Sequence, residues 1–493
     1  MDNEKINLEY NPLSAQPKNK KILSLIALWA FVFINILRSS TMSTILPTAA
    51  LEIGGTEFYS LGSTAGGMVG IIAMPLFGYF ASKDSRNRYR LMILAMLMAA
   101  LGMFLNATAQ SIFVMFLGYA MCGVCSGGIY ICGYTLMRDL FGPEKSGYYL
   151  GICSTMTMIG MLVGPMIGGF LIDYVSWRAV CHVIWPLFLL AAIVASMGVK
   201  ITKEEAEKMP HNSEQTFDVS GAIGLIMFLT CFLVAFSLGY SFIPFGSTAS
   251  WIVIACSVIG LCILIRSIKI KGNASVVPAP ALKNANVKWL FLANFISYIG
   301  HIPIYFFIPT FILYVMGGTA TEASIPITLF SIIGIPLGPI LGKWAGRQGS
   351  VRGLSVLGGC VRTATMLVFA LFLNENSSIW LIYIVMFFCG VWNCETGLTA
   401  FAGSQLMLKE DVRVPGTSVI NVGMDLGTAF ATAFMNMIMV QFGVAGGMRI
   451  AMWVCVLCGV GEALFSLQFR SIKELEEHEA KKAAKKTAKA AAN

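Results

Sequence analysis

Six Arg, His, Asp or Glu side chains lie well inside long apolar stretches of this 493-residue sequence. They are Arg38, His301, Arg362, Glu395, Asp425 and Glu462. An ionisable group near the centre of a bilayer costs at least about 2.5–3.5 kcal/mol on insertion scales. Each of these side chains therefore requires a partner or a function. The two kinds of chemistry that suit them are proton exchange and the binding of a charged solute.

Arg38 is a candidate anchor for an anionic group. It shares one helical face with Asn35, Ser39 and Met42. A guanidinium holds an anion through charge-assisted hydrogen bonds, so Arg38 and Asn35 are predicted to contact a bound solute. The alternative is a structural ion pair, for which Glu395 is the candidate partner.

A second polar stripe surrounds His301. Asn294, Tyr298, His301 and Tyr305 recur at spacings of four, three and four residues, which places them on one face of an otherwise apolar helix. The stripe predicts a cavity-lining role, although a lone histidine in such a helix is usually a packing residue. An amphipathic binding wall is expected from the aromatic residues Tyr130, Tyr134, Tyr298, Tyr305 and Trp392.

The buried carboxyl groups are candidate proton carriers. Glu395, which shares a face with Trp392 and Thr399, is the preferred one. Burial disfavours the charged form of a carboxyl group, whereas a nearby arginine favours it. Asp425 is a second candidate, with a gating or helix-packing role as an equal alternative. Arg362 and Glu462 are expected to form a structural pair with each other, with contact to the solute as the alternative.

Membrane-spanning helices must position these side chains. Charged residues make up 12% of the chain, against about 25% in an average soluble protein, and the mean hydropathy is +0.75. Apolar runs of roughly 20 residues, the length that crosses a bilayer, predict fourteen spans, numbered 1 to 14 in chain order. Their limits are 22–46, 57–81, 90–108, 110–137, 148–172, 179–199, 219–239, 251–268, 288–315, 322–345, 353–373, 379–405, 415–441 and 448–469.

The distribution of Lys and Arg predicts how these spans are oriented. Basic residues precede span 1 and follow spans 2, 6, 8 and 10, whereas the connections 47–56, 240–250, 316–321 and 374–378 contain none. The positive-inside rule therefore places both termini in the cytoplasm. The formal charge of +9 resides in the connections and the tail, so no nucleic-acid partner is expected.

Enzymatic and metal chemistry are not expected. All 13 cysteines fall within predicted spans, and none is placed for an extracellular disulfide framework. The sequence contains no H-E-x-x-H or G-x-S-x-G motif. We therefore expect a carrier rather than an enzyme, with neither a metal nor a cofactor.

Small residues are concentrated in span 5. A G-x-x-x-G spacing lets another helix approach closely, and a proline inside a helix removes a backbone donor and bends it. The residues of this pattern are Gly160, Gly164, Pro165, Gly168 and Gly169.

Two features echo each other along the chain. Gly423 and Gly427 in span 13 repeat the spacing of span 5, and the loop that runs from Gly78 to Arg86 after span 2 has a counterpart after span 10. The echoes predict two six-helix halves joined by two extra spans. Internal repeats of this kind are typical of alternating-access carriers.

These motifs resemble those of the 14-helix drug:proton antiporter branch of the major facilitator superfamily, over nearly all of 22–470. The span 5 pattern, continued by Trp177 and Arg178, resembles the antiporter signature, and the loop from Gly78 to Arg86 is a partial match. The resemblance implies an all-α polytopic membrane protein with two six-helix bundles and two linker helices. The implied parts are an N-terminal tail 1–21, a bundle 22–199, a linker with two helices 200–287, a second bundle 288–469 and a basic tail 470–493.

The resemblance also implies where the candidate residues lie. Spans 1, 4, 9 and 12 would surround a central cavity, so that Arg38, His301 and Glu395 face one another across it. Spans 5 and 13 would line the contact between the halves, and their glycines would form a gate there.

Two departures from the family pattern bear on the solute. Arg38 stands where the family has an acidic residue in span 1, and the stretch Gly118–Gly123 lacks the arginine that relatives carry in span 4. We therefore expect a monomeric, proton-coupled transporter of the cytoplasmic membrane for an amphipathic organic anion, such as a bile-acid-like or aromatic carboxylate. Efflux of hydrophobic drugs by proton antiport is the alternative. The sequence leaves the direction of transport open.

Overall fold

The computed structural model describes residues 13, 15–54, 59–209, 217–237, 246–472, 474, 475 and 477. Regular structure within these residues is entirely helical. The first helices are α1 Lys18–Ile53, α2 Tyr59–Lys83, α3 Arg86–Ala107, α4 Ile112–Gly123, a π-helix Gly127–Gly133, α5 Tyr134–Tyr174, α6 Trp177–Met197, α7 Lys203–Lys208, α8 Val219–Ser237 and α9 Thr248–Lys271. A 3₁₀ turn Gly272–Ala274 follows, and then α10 Ala279–Lys283, α11 Ala285–Ile299, α12 Ile302–Tyr314, α13 Ala320–Ile332, α14 Gly334–Gln348, α15 Arg352–Phe372, α16 Ile379–Met407 and α17 Glu410–Ser466. The lysines of the basic tail, from Lys481 onward, lie outside the described residues.

The helices follow the predicted spans closely. Eleven stretches within the described residues are long and apolar enough to cross a membrane, and the three other predicted spans fall on α2, α8 and the first part of α17. Spans 4 and 5 join at Gly142 with φ 74°, and spans 13 and 14 join at Gly443 with φ 65°. Glycine suits both positions because other residues avoid positive φ.

Span 4 departs from a regular α-helix, which hydropathy did not predict. The π-helix lies between α4 and α5 and contains Tyr130. A Cβ added at Gly128 or Gly133 would collide with Ala95 or Leu28 of the neighbouring helices. Close packing on both sides thus accompanies a backbone form that is rare and often found at functional sites.

The two linker helices α8 and α9 are joined by a buried carboxylate. Asp218 accepts hydrogen bonds from Ser267 at 2.7 Å, from Lys271 at 2.8 Å and from the Gly221 amide at 2.8 Å. Burial raises the pKa of Asp218, but these hydrogen bonds outweigh that effect and hold the pKa well below its usual range. The charged carboxylate therefore fastens the start of α8 to the end of α9.

The surface between the helices before Lys200 and those after Val287 is called the seam here. Its closest packing joins span 5 to span 10 through glycine backbones. A Cβ at Gly147 would meet the Gly342 carbonyl at 2.6 Å, and a Cβ at Gly338 would meet the Gly151 carbonyl at 2.5 Å. These four glycines lie on the cytoplasmic side of the predicted midplane and let the two backbones touch.

Candidate transport site

Aromatic rings from the two sides of the seam contact each other. Tyr130 and Tyr134 of span 4 lie against Phe401 of span 12, with ring centroids 5.5 and 5.1 Å apart. The Tyr134 hydroxyl is buried and has no hydrogen-bond partner among the described residues. The structure thus brings the two predicted tyrosines to the seam, and it adds Phe401, which the sequence reasoning missed.

His301 is surrounded by the other aromatic residues of the predicted wall. Its ring centroid lies 5.7 Å from that of Tyr298, 5.2 Å from Tyr305 and 5.5 Å from Trp392. Span 10 adds Phe330, which lies 5.0 Å from Trp392. Three of the four residues of the predicted stripe, Tyr298, His301 and Tyr305, therefore belong to one aromatic cluster with Trp392 and Phe330.

The histidine of this cluster has one free hydrogen-bonding position. His301 Nε2 lies 3.3 Å from the Tyr305 hydroxyl, whereas its Nδ1 is buried and unpartnered within the described part of the chain. The Tyr305 hydroxyl also approaches Met161 Sδ of span 5 at 3.9 Å. The cluster consequently reaches across the seam. A hydrogen-bonding group of a bound solute could supply the missing partner of His301 Nδ1.

Arg38 lies on span 1 facing span 4. Its guanidinium donates to Asn35 Oδ1 at 3.1 Å and lies within electrostatic range of the Cys122 and Cys125 thiols. No carboxylate among the described residues pairs with it, and its Nε is buried without a partner. The alternative of an Arg38–Glu395 ion pair is therefore not what the structure shows.

Glu395 lies inside the second bundle, away from Arg38 and His301. Its Oε1 accepts a hydrogen bond from Thr399 at 2.5 Å, its side chain packs against Gly358, and its neighbouring carboxyl is that of Glu462. The expectation that Arg38, His301 and Glu395 face one another is wrong, because Glu395 points toward spans 11 and 14. Arg362 and Glu462 do form the expected pair, at 3.0 Å.

Asp425, in contrast, lies near the centre of the seam. It is within electrostatic range of Tyr130 on span 4 and of Tyr298 on span 9. It makes no hydrogen bond or ion pair with another described residue, and its side chain is only half-buried. Of the two predicted proton carriers, Asp425 is thus the one beside the aromatic residues of both halves.

The signature glycines of span 5 do not lie at the seam. A Cβ at Gly160 would meet Ile36 at 3.0 Å, and one at Gly164 would collide with Ser40, so both glycines pack on span 1 of the same half. Ser40 donates a hydrogen bond to the Gly160 carbonyl at 3.1 Å. Gly169 has no neighbour within 4 Å of an added Cβ.

Pro165 and Gly168 complete the signature. Helix α5 continues through Pro165, whose side chain is exposed, and Gly168 is buried. The prediction that the signature glycines of span 5 form part of the seam is therefore wrong for Gly160 and Gly164. A different face of this helix, which carries Met158 and Met161, contacts the second half.

The echo in span 13 is corrected in the same way. A Cβ at Gly423 would meet Phe291 at 2.8 Å, and one at Gly427 would collide with Phe295. Both phenylalanines belong to span 9 of the same half. The two G-x-x-x-G motifs are equivalent in role, but each joins helices within its own bundle.

The two matching residues of the loop motif after span 2 make different kinds of contact: Arg86 a local one, and Gly78 one across the seam. Arg86 pairs with Asp84 at 2.7 Å. Burial raises the pKa of Asp84, but the hydrogen bonds and charge of Arg86 outweigh it and hold that pKa below its ordinary value. Gly78 lies on the seam, where a Cβ would collide with Ser418 of span 13.

Sequence reasoning missed a buried charge cluster at the cytoplasmic ends of the spans. Asp139 at the end of span 4 pairs with Arg88 and, across the seam, with Arg413 at 2.8 Å. Arg138 donates to the Gln405 carbonyl at 3.2 Å, again across the seam. Together with the span 5 and span 10 glycines, this cluster closes the cytoplasmic side. The sequence signal for this cluster is the pair of adjacent charges Arg138 and Asp139 just after span 4.

Comparison with known proteins agrees with this architecture. The family model described as Major Facilitator Superfamily matches residues 28–268 and 290–492. The chain belongs to the Major Facilitator Superfamily. It is accordingly an all-α, multi-pass carrier of the cell membrane that moves small molecules, and it is not an enzyme.

Individual superfamily members are more distant. Multidrug resistance protein 3 of Bacillus subtilis is 26% identical over 371 residues, which cover 72% of this chain and 69% of that protein. The efflux pump FUS6 of Gibberella fujikuroi is 23% identical, over 84% of this chain and 75% of the pump. Among solved structures, the proton:xylose symporter XylE superposes with a TM-score of 0.67 at 13% identity, covering 93% of this chain and 98% of XylE.

Proposed function

We propose that the protein is a proton-coupled secondary transporter of an amphipathic organic anion, such as an aromatic or bile-acid-like carboxylate. The observation that carries this proposal is Arg38, a cation inside span 1 with no carboxylate partner in the described part of the chain. An unpaired guanidinium in the membrane is costly, and an anionic solute would supply its missing partner.

The aromatic residues account for the apolar part of the solute. Tyr130 and Phe401 stack at the seam with their planes 16° apart, and His301 lies among Tyr298, Tyr305 and Trp392. Binding sites for small molecules are mostly apolar, with a few polar groups that fix orientation. A solute with one carboxylate and a rigid hydrocarbon or aromatic body would use both sets of contacts.

Asp425 supplies a physical link between protons and an anion. It lies within electrostatic range of Tyr130, which in turn lies within electrostatic range of Cys125, a residue of the region that Arg38 faces. An ionised Asp425 repels an anion in this region, whereas a protonated one does not. Proton and anion binding therefore favour each other, and this predicts co-transport in the same direction.

Alternating access would move the two halves, 22–199 and 288–469, against each other within a monomer. In this structure the seam is closed on its cytoplasmic side by Asp139, Arg413 and the glycines of spans 5 and 10. Opening requires that these contacts separate while the G-x-x-x-G contacts inside each bundle persist. Rocking of repeats around a central site is the common mechanism of such carriers.

The second candidate is efflux of hydrophobic drugs in exchange for protons. It is favoured by the relatives, which are named as a multidrug resistance protein and an efflux pump. In that case a neutral or cationic compound would occupy the aromatic region, and Asp425 would exchange a proton for it.

A transport screen in proteoliposomes separates the two candidates. Radiolabelled aromatic carboxylates, bile-acid-like anions and lipophilic cations are offered under a pH gradient of each sign, with a protonophore as control. Accumulation of anions that follows the proton gradient supports the first proposal. Proton-driven movement of cations or neutral drugs alone, with no anion flux, would replace it by the second.

A further inference from the structure

A buried trio of charges lies inside the second bundle, separate from the seam. Arg362, Glu395 and Glu462 come from spans 11, 12 and 14, and each is at most 1% exposed. Arg362 Nη1 lies 3.0 Å from Glu462 Oε2. Glu395 and Glu462 are neighbours, so two carboxyl groups face one guanidinium.

The remaining bonds of Arg362 lead toward the seam. It donates to the Ser297 carbonyl at 2.8 Å, to Ser297 Oγ at 2.8 Å and to Thr396 Oγ1 at 2.7 Å. Its guanidinium also lies 4.3 Å from the centroid of the Trp392 ring. Ser297 and Trp392 are on spans 9 and 12, which carry the aromatic cluster.

The charges around the trio do not balance if all three groups are ionised. Span 11 contributes Arg362, span 12 contributes Glu395 and span 14 contributes Glu462. The other titratable groups in electrostatic range of the trio are Tyr298 and His301 of span 9 and the thiols of Cys389, Cys394, Cys455 and Cys458. None of the described residues supplies a second cation there. Full ionisation would leave one uncompensated buried negative charge, which costs several kcal/mol.

The hydrogen bonds of Glu395 indicate where a proton would reside. Oε1 accepts from Thr399, whereas Oε2 is buried and accepts no hydrogen bond from a described residue. A proton on Oε2 would let Glu395 donate to the Glu462 carboxylate, which keeps its pair with Arg362. The absence of a side chain at Gly358 leaves room for the Glu395 carboxyl group, because a Cβ there would occupy the same space.

We infer that Glu395 and Glu462 together hold one exchangeable proton, that Gly358 positions Glu395 for this, and that Arg362 relays its loss to the aromatic cluster. On deprotonation the O–H bond of Glu395 breaks and the proton passes to water. Two carboxylates then compete for Arg362, which weakens its bonds to Ser297 and Thr396 and shifts its contact with Trp392. This inference rests on the proposed proton coupling and adds to Asp425 a second proton site, which Glu395 and Glu462 share.

The first measurement is infrared difference spectroscopy of the full-length protein in lipid during a pH titration. It needs no substrate, so its outcome is independent of which solute is carried. Wild-type protein is expected to show the carbonyl band of one protonated carboxylic acid from the pair. That band should be lost in both Glu395→Gln and Glu462→Gln, because each variant removes one member of a shared site. A band that persists unchanged in Glu462→Gln would overturn the inference.

The second measurement separates proton coupling from substrate movement. In proteoliposomes, accumulation driven by a pH gradient should be at least tenfold lower in Glu462→Gln than in the wild type. The rate of solute exchange at equal pH should stay within about twofold of the wild-type rate. The double variant with Glu395→Gln should be no worse than either single one, since the residues act as a unit. Equal loss of exchange and accumulation in Glu462→Gln, or wild-type accumulation, would contradict the shared site.

Gly358→Ala tests the positioning without removing a charge. Because the new methyl group would displace the Glu395 carboxyl, the pH midpoint of accumulation should shift, with exchange retained. Gly461→Ala is the matched control, since its Cβ would meet Ile296 at no less than 3.4 Å beside Glu462. Identical midpoints in the two alanine variants would refute the role of Gly358. If Glu462→Gln is unstable, Arg362→Met combined with Glu462→Gln leaves Glu395 as a lone buried carboxyl without a cation. Because burial disfavours its charged form, its carbonyl band should persist to a higher pH than in the wild type, and loss of that band at the wild-type pH would contradict the shared site.

Discussion

The ring of Trp392 lies against the guanidinium of Arg362, 4.3 Å from its Cζ atom. The same ring meets that of His301 edge-on, with centroids 5.5 Å apart. Trp392 is therefore the side chain shared by the charge trio of the second bundle and the aromatic cluster at the seam. A change in either group must be accommodated by this residue, because it is fully buried.

Asp425→Asn should remove the pH dependence of anion affinity. In the wild type, ionisation of Asp425 places a negative charge near Tyr130 and Tyr298, so an anion should bind more weakly as the pH rises. The Asp425→Asn protein should bind the anion at high pH as tightly as the wild type does at low pH. At high pH this is a gain in affinity of about tenfold, which corresponds to about 1.4 kcal/mol of binding free energy. Titration calorimetry at several pH values measures this.

The matched control for that variant is Asp411→Asn, which removes an exposed carboxylate from the same helix. It should retain the wild-type pH profile. An Asp425→Asn profile that still falls with rising pH would show that another group senses the proton.

Gly342→Ala should prevent closure of the cytoplasmic side. Its Cβ would collide with the Gly147 carbonyl of span 5, and two helix backbones in contact cannot yield as a flexible side chain would. Hydrogen–deuterium exchange of 144–158 should become faster, and transport should slow by at least tenfold. Gly169→Ala, where an added Cβ has no neighbour within 4 Å, should leave both quantities unchanged. Equal behaviour of the two variants would exclude this contact as the closing element.

Asp218→Asn should destabilise the linker helices at neutral pH. The pKa of Asp218 in the folded protein is below its unfolded value, so its charge stabilises the fold above about pH 4 and this contribution is lost as the pH falls through the lower folded pKa. Loss of charge-assisted hydrogen bonds typically costs about 1.5–3 kcal/mol. Thermal unfolding at pH 7 and at acid pH measures the difference, which should shrink on acidification. Glu204→Gln, at an exposed position, should unfold at the same temperature as the wild type. A difference in unfolding temperature between Asp218→Asn and the wild type that grows as the pH falls would contradict this prediction.

The span pattern was predictable because every helix in lipid needs a long apolar run, and this requirement is visible in composition alone. The His301 stripe was predictable for the same local reason, since its spacing depends only on helix geometry. The neighbours of Glu395 and of Gly160 were not, because they depend on how each helix is rotated about its axis. The π-helix around Tyr130 and the ion pair between Asp139 and Arg413 require knowledge of contacts between residues far apart in the chain.

Arg38 is the residue on which the assignment of an anionic solute depends. The direct measurement is the initial rate of uptake of an aromatic carboxylate and of its neutral amide into proteoliposomes, for wild type, Arg38→Ala and the control Arg449→Ala, whose side chain is exposed. Loss of a charge-assisted contact is worth about 1.5–3 kcal/mol. We predict that Arg38→Ala lowers carboxylate uptake at least tenfold and leaves amide uptake within about twofold, while Arg449→Ala changes neither. An equal loss for carboxylate and amide, or undiminished carboxylate uptake in Arg38→Ala, would contradict the account.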